Sequence, residues 1–513
     1  MRQNEQKLII PVSDGTWRDH LGRPIAGAWR SNAAPMATQD WLARLEQGMN
    51  QGQTALIVAE VIEGLAQGRS CDALARWLTL RLAQRGAVLE PIFAATADSC
   101  RMAAAMEDLR PALPWTTAIA LAGALVAGRE PTETATAQAL ACDFVDLHAA
   151  IDQRDAVAAA AIAQAALAQL PLATVQTWLL RLAAQYPGDG GVCAIAAVKL
   201  ADLHAATGDL GMDCAYVCLA RALALRPEHL GYTQAHPARM AALAPRMAAM
   251  ADAEDPEKAK IFAETKFRPH VLDGKGDAPF RAAAKALEVG IPRLLLAGSL
   301  ALAAADRLLR YDPKHDLDDS VLEDRTDVEQ LLVLVSAVRQ MHGRIPTQDW
   351  IALYFFALGL VNASGALDAA QNDRRALPDP AALHQTWDHG PEIAKILTNL
   401  HAQRGEQAIA VLRAYLLMVL PEQPLSQQLH EAVLVNCAES PAQQAAAIRL
   451  MTAAIDEFHA LSANPHRELP LCAALRSLSE RKHPPSIAHL AEQALVSRAS
   501  GWRPQPLVGR GPI

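Results

Sequence analysis

Residues 311–346 read YDPKHDLDDSVLEDRTDVEQLLVLVSAVRQMHGRIP, an acidic stretch that runs into an apolar one. Residues 320–323 and 326–329 both have the S/T-x-x-E form of a capping box, in which a hydroxyl and a glutamate bind free backbone N–H groups at a helix start. After Thr326, apolar side chains recur with the i, i+3, i+4, i+7 spacing of one helix face: Val328, Leu331, Leu332, Val335 and Val338. Because Gly343 and Pro346 end the pattern, the stretch predicts an amphipathic α-helix that starts at the box of Thr326.

The composition extends this prediction to the whole chain. Of 513 residues, 51% are hydrophobic and only 4% are aromatic, so the apolar side chains are mostly small and aliphatic. Alanine and leucine favour helix, whereas the residues that favour strands are scarce. We therefore predict an all-α protein, an irregular helical-hairpin array that resembles an α-α superhelix.

Glycine and proline positions suggest how this array is divided. Residues 1–36 are interrupted so often by both residue types that they predict an extended N-terminal arm, and residues 498–513 predict an extended C-terminal tail. Charge rises and the helical pattern breaks at residues 252–279, which we interpret as a linker. Two helical halves, residues 37–251 and 280–497, lie on either side of it.

Short words recur along the chain. TQDW begins at Thr38 and again at Thr347, and DLHAA begins at Asp146 and again at Asp202. The spacings follow no fixed period, which favours an irregular array over a consensus repeat. The alternative is that alanine-rich helices resemble one another through composition alone.

Charge and hydropathy exclude several classes of function. The net charge is −8, and a partner with a phosphate backbone would require a concentrated basic face. The longest apolar runs, such as residues 116–128, are shorter than the ~20 residues that span a bilayer, and the N-terminus lacks the pattern of a signal peptide. We predict a cytoplasmic protein with no nucleic-acid partner and no membrane span.

Eight cysteines are spread over the chain, mostly inside apolar helical patterns where a free thiol acts as a small hydrophobe. This spacing does not predict a disulfide framework. Cys214 and Cys218 share one helix face at i,i+4 and could bind a metal, although no second Cys or His pair at ligand spacing is near them.

The acidic stretch is one candidate metal site. His315, Asp316 and Asp319, with Asp312 and Asp318, offer one imidazole and hard oxygen ligands for a divalent cation. Counted from Asp312, only the glutamate of an EF-hand loop is in place. The alternative is that these residues are a solvated connector, placed before a helix N-terminus where the dipole favours negative charge.

Four histidines complete the set of candidates. His389 follows His384 and Asp388 in a loop predicted to end at Gly390, and it could bind iron or relay a proton. His148 shares a helix face with Asp152, a pattern that is more typical of a structural histidine. His204 belongs to the set because His148, His204, His315 and His389 could converge on one interior cavity.

Established catalytic and cofactor patterns are incomplete in this sequence. His430-Glu431 opens an HExxH pattern, but Leu434 occupies the position of the second histidine. No phosphate-binding loop, GxGxxG turn, GxSxG elbow or Rieske ligand spacing is found, so we predict no flavin, NAD or iron–sulfur site. A cofactor, if one is bound, is expected to be iron or another divalent metal.

Four runs resemble segments of the questin-oxidase-like all-helical domains: QYPGDGGVCAIAAVKLADL from Gln185, RLLRYDP from Arg307, LLVLVSAVRQM from Leu331 and WIALYFFALGLVNASGAL from Trp350. Such domains also occur fused to or beside Rieske ferredoxin domains. The resemblance implies a helical fold and a redox setting. Val192 and Gln330 stand where the family pattern leads us to expect histidines, and His389 remains at a matching place.

These observations predict a helical scaffold or accessory subunit that serves a ferredoxin-type oxidoreductase, because the likeness implies a redox setting while candidate ligands are depleted. One alternative is a metal-dependent oxidase or oxygenase, with a mononuclear site between the halves built from His389 and the acidic stretch. Another is a protein-interaction module unrelated to redox. Whether the protein is an enzyme stays open at this point.

Overall fold

A computed structural model describes residues 38–480 apart from residues 90, 105, 107–109, 127–141, 209–211, 227–235, 318–323, 382–388 and 436–440. Within this part of the chain the regular structure is helical, and the all-α prediction is confirmed. The predicted N-terminal arm, residues 1–36, and C-terminal tail, residues 498–513, lie outside the described residues.

The first helices are α1 (Thr38–Asn50), α2 (Thr54–Ala66), α3 (Cys71–Gln84), α4 (Pro91–Ala104), α5 (Ala112–Val126), α6 (Phe144–Asp152), α7 (Ala156–Gln169), α8 (Leu172–Gln185), α9 (Val192–Thr207), α10 (Met212–Ala224) and α11 (His236–Asp252). They are followed by α12 (Glu264–Asp273), α13 (Ala278–Val289), α14 (Arg293–Arg310), α15 (Arg325–Met341), α16 (Thr347–Ala363), α17 (His389–His401), α18 (Gly405–Leu417), α19 (Glu422–Val435), α20 (Pro441–Ala460) and α21 (Leu469–Ser479). Short 3-10 helices cover Asp189–Gly191, Pro256–Ile261, Pro313–Leu317 and Ser364–Leu367.

Helix α15 forms where the periodic pattern predicts it, but its cap differs from the prediction. The N-cap is Asp324, whose carboxylate accepts hydrogen bonds from the backbone N–H groups of Thr326 and Asp327. The Asp327 carboxylate in turn accepts one from the N–H of Asp324, which completes a capping box. The prediction that Thr326 caps the helix is therefore wrong, because a carboxylate two residues earlier takes that position and also suits the helix dipole. The other predicted box, at residues 320–323, lies outside the described residues.

The two TQDW words have the same structural role. Each opens a helix, α1 or α16, and each places its tryptophan in the core. The indole N–H of Trp41 donates to the carbonyl of Glu60 on α2, and that of Trp350 donates to the carbonyl of Val338 on α15, both at 2.8 Å. A buried tryptophan that hydrogen-bonds a neighbouring helix fixes the packing of both pairs.

The central helices are α4, α9, α15 and α20. Helix α4 packs against α5, α9 and α20, while α15 packs against α9, α14, α16 and α20. The 3-10 helix before α9 approaches α15 so closely that glycine is required at position 191, where φ is +79° and an added Cβ would lie 2.4 Å from a methyl group of Leu334. Helices from before and after residues 252–279 thus share contacts, and the division into two halves stays a prediction.

Two apolar segments in the described part of the chain, Asp189–Thr207 and Thr347–Leu367, are long enough to cross a membrane. Most of each segment is buried inside the protein. Core helices of a folded body have the same length and composition, so this finding is consistent with the prediction of no membrane span.

Candidate functional site

A cluster of charged side chains lies among the central helices, where an apolar core would be expected. Its members come from four elements: Asp98 and Arg101 on α4, Lys199 on α9, Arg339 on α15, and Asp456 and Glu457 on α20. We call these six residues the central charge cluster. Burying charge in a helical core is unfavourable unless each group is paired, so the pairing defines what the cluster can do.

Asp98 and Lys199 form the most deeply buried pair. The Nζ atom of Lys199 donates to Oδ1 of Asp98 at 2.6 Å, and the two side chains are 5% and 0% exposed. Oδ2 of Asp98 accepts no hydrogen bond from the described residues. Burial raises the pKa of Asp98, while the positive charge of Lys199 acts in the opposite direction. The carboxylate therefore depends mainly on Lys199 for its ionised state, and the charge of Arg101 adds to that effect.

Arg101 and Asp456 form a bidentate pair between α4 and α20. The two terminal nitrogens of Arg101 donate to the two oxygens of Asp456 at 2.9 and 2.8 Å. Burial alone would raise the pKa of Asp456, but the hydrogen bonds and charge of Arg101 outweigh it and lower that pKa. This geometry locks α4 against α20 at a fixed register.

Arg339 and Glu457 form the third pair, between α15 and α20. Nε of Arg339 donates to both oxygens of Glu457 at 3.0 and 2.9 Å, and Nη2 adds a bond of 2.6 Å. Glu457 has no exposed surface. Burial raises its pKa and the charge of Arg339 opposes the rise. The three ion pairs thus tie α4 to α9, α4 to α20 and α15 to α20.

His430 on α19 lies beside the cluster. Burial lowers its pKa to about 4, and the charges of Arg101 and Lys199 contribute to the decrease while Asp456 opposes it. Its Nε2 atom is buried and has no hydrogen-bond partner among the described residues. At neutral pH the imidazole is uncharged. The next residue, Glu431, pairs instead with Arg110 at 3.0 Å.

The charged groups of this cluster have the chemistry of acids and bases, but each is held by an oppositely charged group on another helix. Their direct effect is to join helices. Sequence reasoning missed them, although single charged residues inside apolar helical runs, such as Asp98 and Lys199, are a signal of buried pairs.

The predicted ligands of the acidic stretch are used in local contacts. Asp316 accepts a hydrogen bond from the hydroxyl of Tyr311 at 2.7 Å and from Arg325 at 2.8 Å. Burial, followed by this bond to Asp316, raises the pKa of Tyr311. His315 lies in the 3-10 helix and its ring packs against Tyr311, with 6.1 Å between ring centroids. Asp319 lies outside the described residues.

The structure places His389 differently from the prediction. It is the first residue of α17 and not part of a loop that continues to Gly390. The helix begins there because the apolar face of α17, with Ile393, Ile396 and Leu400 in the core, continues up to this turn. His384 and Asp388 lie outside the described residues.

The two DLHAA words place their histidines against tyrosines. Nε2 of His148 lies 2.9 Å from the hydroxyl of Tyr186, and that hydroxyl donates to Asp152 at 2.8 Å. Nδ1 of His204 lies 3.2 Å from the hydroxyl of Tyr216. Asp152 therefore contacts His148 only through Tyr186. In the described part of the chain, no three His, Cys, Asp or Glu side chains are arranged to hold one metal ion.

A second notable feature lies on the surface between α18 and α19. Val419 has φ of +55° and is 87% exposed, and Leu417 beside it is 71% exposed. Valine is β-branched and disfavours this left-handed conformation strongly; the other non-glycine residues with positive φ in the described chain are Arg154 and Gln403. The loop is held in place by the Tyr415 hydroxyl, which donates to the carbonyl of Pro421 at 2.5 Å. We call residues 417–419, the last residue of α18 and the two that follow it, the apolar loop.

Comparison with protein-family models, with curated proteins and with solved structures finds no match to this chain. The resemblance to questin-oxidase-like domains accordingly stays a prediction.

Proposed function

We propose that this chain is a helical accessory subunit that binds a ferredoxin-type oxidoreductase and has no catalysis of its own. The apolar loop is the observation on which the proposal rests. An exposed valine in a disfavoured backbone conformation lowers stability by about 1–2 kcal/mol, and such strain is typical of functional positions.

The apolar loop has the properties of a protein contact. Leu417 and Val419 present aliphatic side chains to water, and the hydrogen bond from Tyr415 to the Pro421 carbonyl links the two sides of the loop. A loop that is already linked in this way has less conformational entropy to lose when a partner covers it. The apolar loop does not consist mainly of polar or catalytic side chains, so it supports binding and not catalysis.

The central charge cluster agrees with an accessory role. Asp98, Arg101 and Glu457 are each held by a partner on another helix, which gives the body a fixed shape. The redox nature of the partner comes from the sequence resemblance alone. Two alternatives remain: a metal-dependent oxidase or oxygenase that uses His389, and an interaction module unrelated to redox.

Calorimetric titration of the full chain with a purified Rieske-type ferredoxin tests the proposal. We expect saturable binding that Val419→Asp weakens by about tenfold or more, because an apolar contact then buries an unpaired charge. Val157→Asp is the matched control, since Val157 is 71% exposed on the first turn of α7, where a carboxylate is well tolerated.

The alternatives give other results. Stoichiometric iron in the purified protein, lost in His389→Ala, would establish the metal-dependent enzyme in place of the accessory subunit. Absence of binding to the ferredoxin, together with metal-free protein, would leave the interaction module unrelated to redox and refute the redox partner.

A further inference from the structure

Two thiols on α10 form a site that the proposed function does not use. Cys214 and Cys218 are one turn apart on the same face of the helix, and both are partly exposed. Side chains at i and i+4 of a helix are neighbours, so the two thiols project next to one another. The thiol of Cys218 also donates to the carbonyl of Ala83 on α3, with 2.9 Å between sulfur and oxygen. Contact with α3 therefore fixes the position of one sulfur.

A disulfide does not suit this pair. Residues at i and i+4 of a helix have Cβ atoms about 5–6 Å apart. A disulfide requires about 3.5–4.5 Å, so closing one would distort α10. The pair is more compatible with an atom that sits between the two sulfurs and lengthens the bridge.

We propose that Cys214 and Cys218 bind a soft monovalent metal ion, with Cu(I) as the representative, through two thiolate sulfurs. Thiolates select soft ions of this kind, and Cu(I) accepts two of them in a linear arrangement. Zinc sites need four ligands, and no third His, Cys, Asp or Glu completes this site within the described residues.

The surroundings allow an ion to enter and be held. Partial exposure of both cysteines leaves a path from solvent. Two thiols that bind Cu(I) release two protons to water, one of them the proton that Cys218 donates to the Ala83 carbonyl, so that hydrogen bond is exchanged for a copper–sulfur bond. One net negative charge then remains on the bound pair. Arg221, one turn further along α10, carries a positive charge near Cys218, whereas Asp213 adds a negative charge next to Cys214. The arginine therefore offsets the charge of the loaded site at its Cys218 side.

Anaerobic titration of the full chain with Cu(I) against the chromophoric chelator bicinchoninate tests this inference. We expect one equivalent to bind tightly, and Cys214→Ser or Cys218→Ser to weaken the affinity by more than about 100-fold, because loss of a direct ligand costs more than the 10–100-fold caused by losing an outer-shell partner. Cys142→Ser is the control, because Cys142 is partly exposed but lies outside α10. X-ray absorption should find two sulfur neighbours and no others.

Serine at position 218 keeps a donor for the Ala83 carbonyl, and circular dichroism confirms that each variant is folded. Unchanged Cu(I) affinity in the folded double variant Cys214→Ser/Cys218→Ser would overturn the proposal, as would a four-coordinate copper sphere. Because the apolar loop is on other helices, failure of copper binding would leave the proposed partner binding intact, and the reverse also holds.

Discussion

Replacement of Lys199 by methionine tests the account of the central charge cluster most sharply. Asp98 is fully buried, Lys199 is the residue that binds its Oδ1, and Oδ2 accepts no hydrogen bond from the described residues. Removing the lysine leaves the buried carboxylate without the cation that hydrogen-bonds it, and only the charge of Arg101 remains to act on it. Breaking a buried pair in this way lowers the free energy of unfolding by about 3–5 kcal/mol. Since methionine fills nearly the same space, the loss reports charge and not a cavity.

The double variant Asp98→Leu/Lys199→Met makes the test quantitative. Replacing a whole buried pair by apolar residues of similar volume is about neutral or stabilising, so we expect the second substitution to restore most of the lost stability. Urea unfolding followed by circular dichroism measures all four proteins of the double-mutant cycle. Additive losses, or a loss of less than about 1 kcal/mol in Lys199→Met, would refute the inference that Asp98 depends on this lysine.

Three further predictions concern single residues. The pKa of His430 is about 4 in the folded protein and 6.5 in the unfolded chain, so the unfolded chain binds a proton first as pH falls. Between pH 6.5 and 4, the free energy of unfolding of the wild type should therefore fall by up to about 3 kcal/mol relative to His430→Gln in unfolding titrations. In urea unfolding, Gly191→Ala should destabilise the protein by about 1–3 kcal/mol more than the control Gly276→Ala. Both glycines have positive φ, but only at position 191 would the new Cβ lie against Leu334, and equal losses would contradict that close contact. Val419→Asn should raise the urea midpoint by the equivalent of about 0.5–1 kcal/mol, since asparagine tolerates the left-handed conformation, and a lower midpoint would show that the valine is not strained.

The helices were predictable because their signals are local. The 3.6-residue period of residues 328–338 predicts α15, and the apolar side chains of that pattern are all buried. The helix is buried further round than the pattern predicts, since Glu329 and Ser336 are buried too. The cap was harder to assign, since Asp324 and Thr326 both suit an N-cap and only the helix start distinguishes them. The TQDW words turned out to be informative, because both tryptophans donate to a neighbouring helix.

The sequence can indicate that charges such as Asp98 and Lys199 are buried, but it does not show which residues pair with them. Asp98 and Lys199 are 101 positions apart, and Arg101 and Asp456 are 355 apart, so no periodicity connects them. The contacts of the histidines could not be predicted for a similar reason. A sequence shows that His148 and His204 have polar neighbours, but it does not show that Tyr186, at the end of α8, and Tyr216, on α10, are their contacts.

The backbone strain at Val419 could not be predicted from the sequence either. Nothing in the local sequence around Val419 predicts a left-handed valine, because the position directly follows Met418, the C-cap of α18, where glycine or asparagine usually takes this conformation. This strain, and not a catalytic motif, is what distinguishes the apolar loop from other exposed aliphatic residues such as Val157.

The central claim is that the apolar loop binds a ferredoxin-type partner. Amide hydrogen exchange of the full chain, measured with and without saturating Rieske-type ferredoxin, tests it most directly. The account predicts slower exchange at residues 417–420 when the ferredoxin is present and unchanged exchange at residues 154–158, around Val157. Unchanged exchange at residues 417–420 in the saturated sample would contradict the claim.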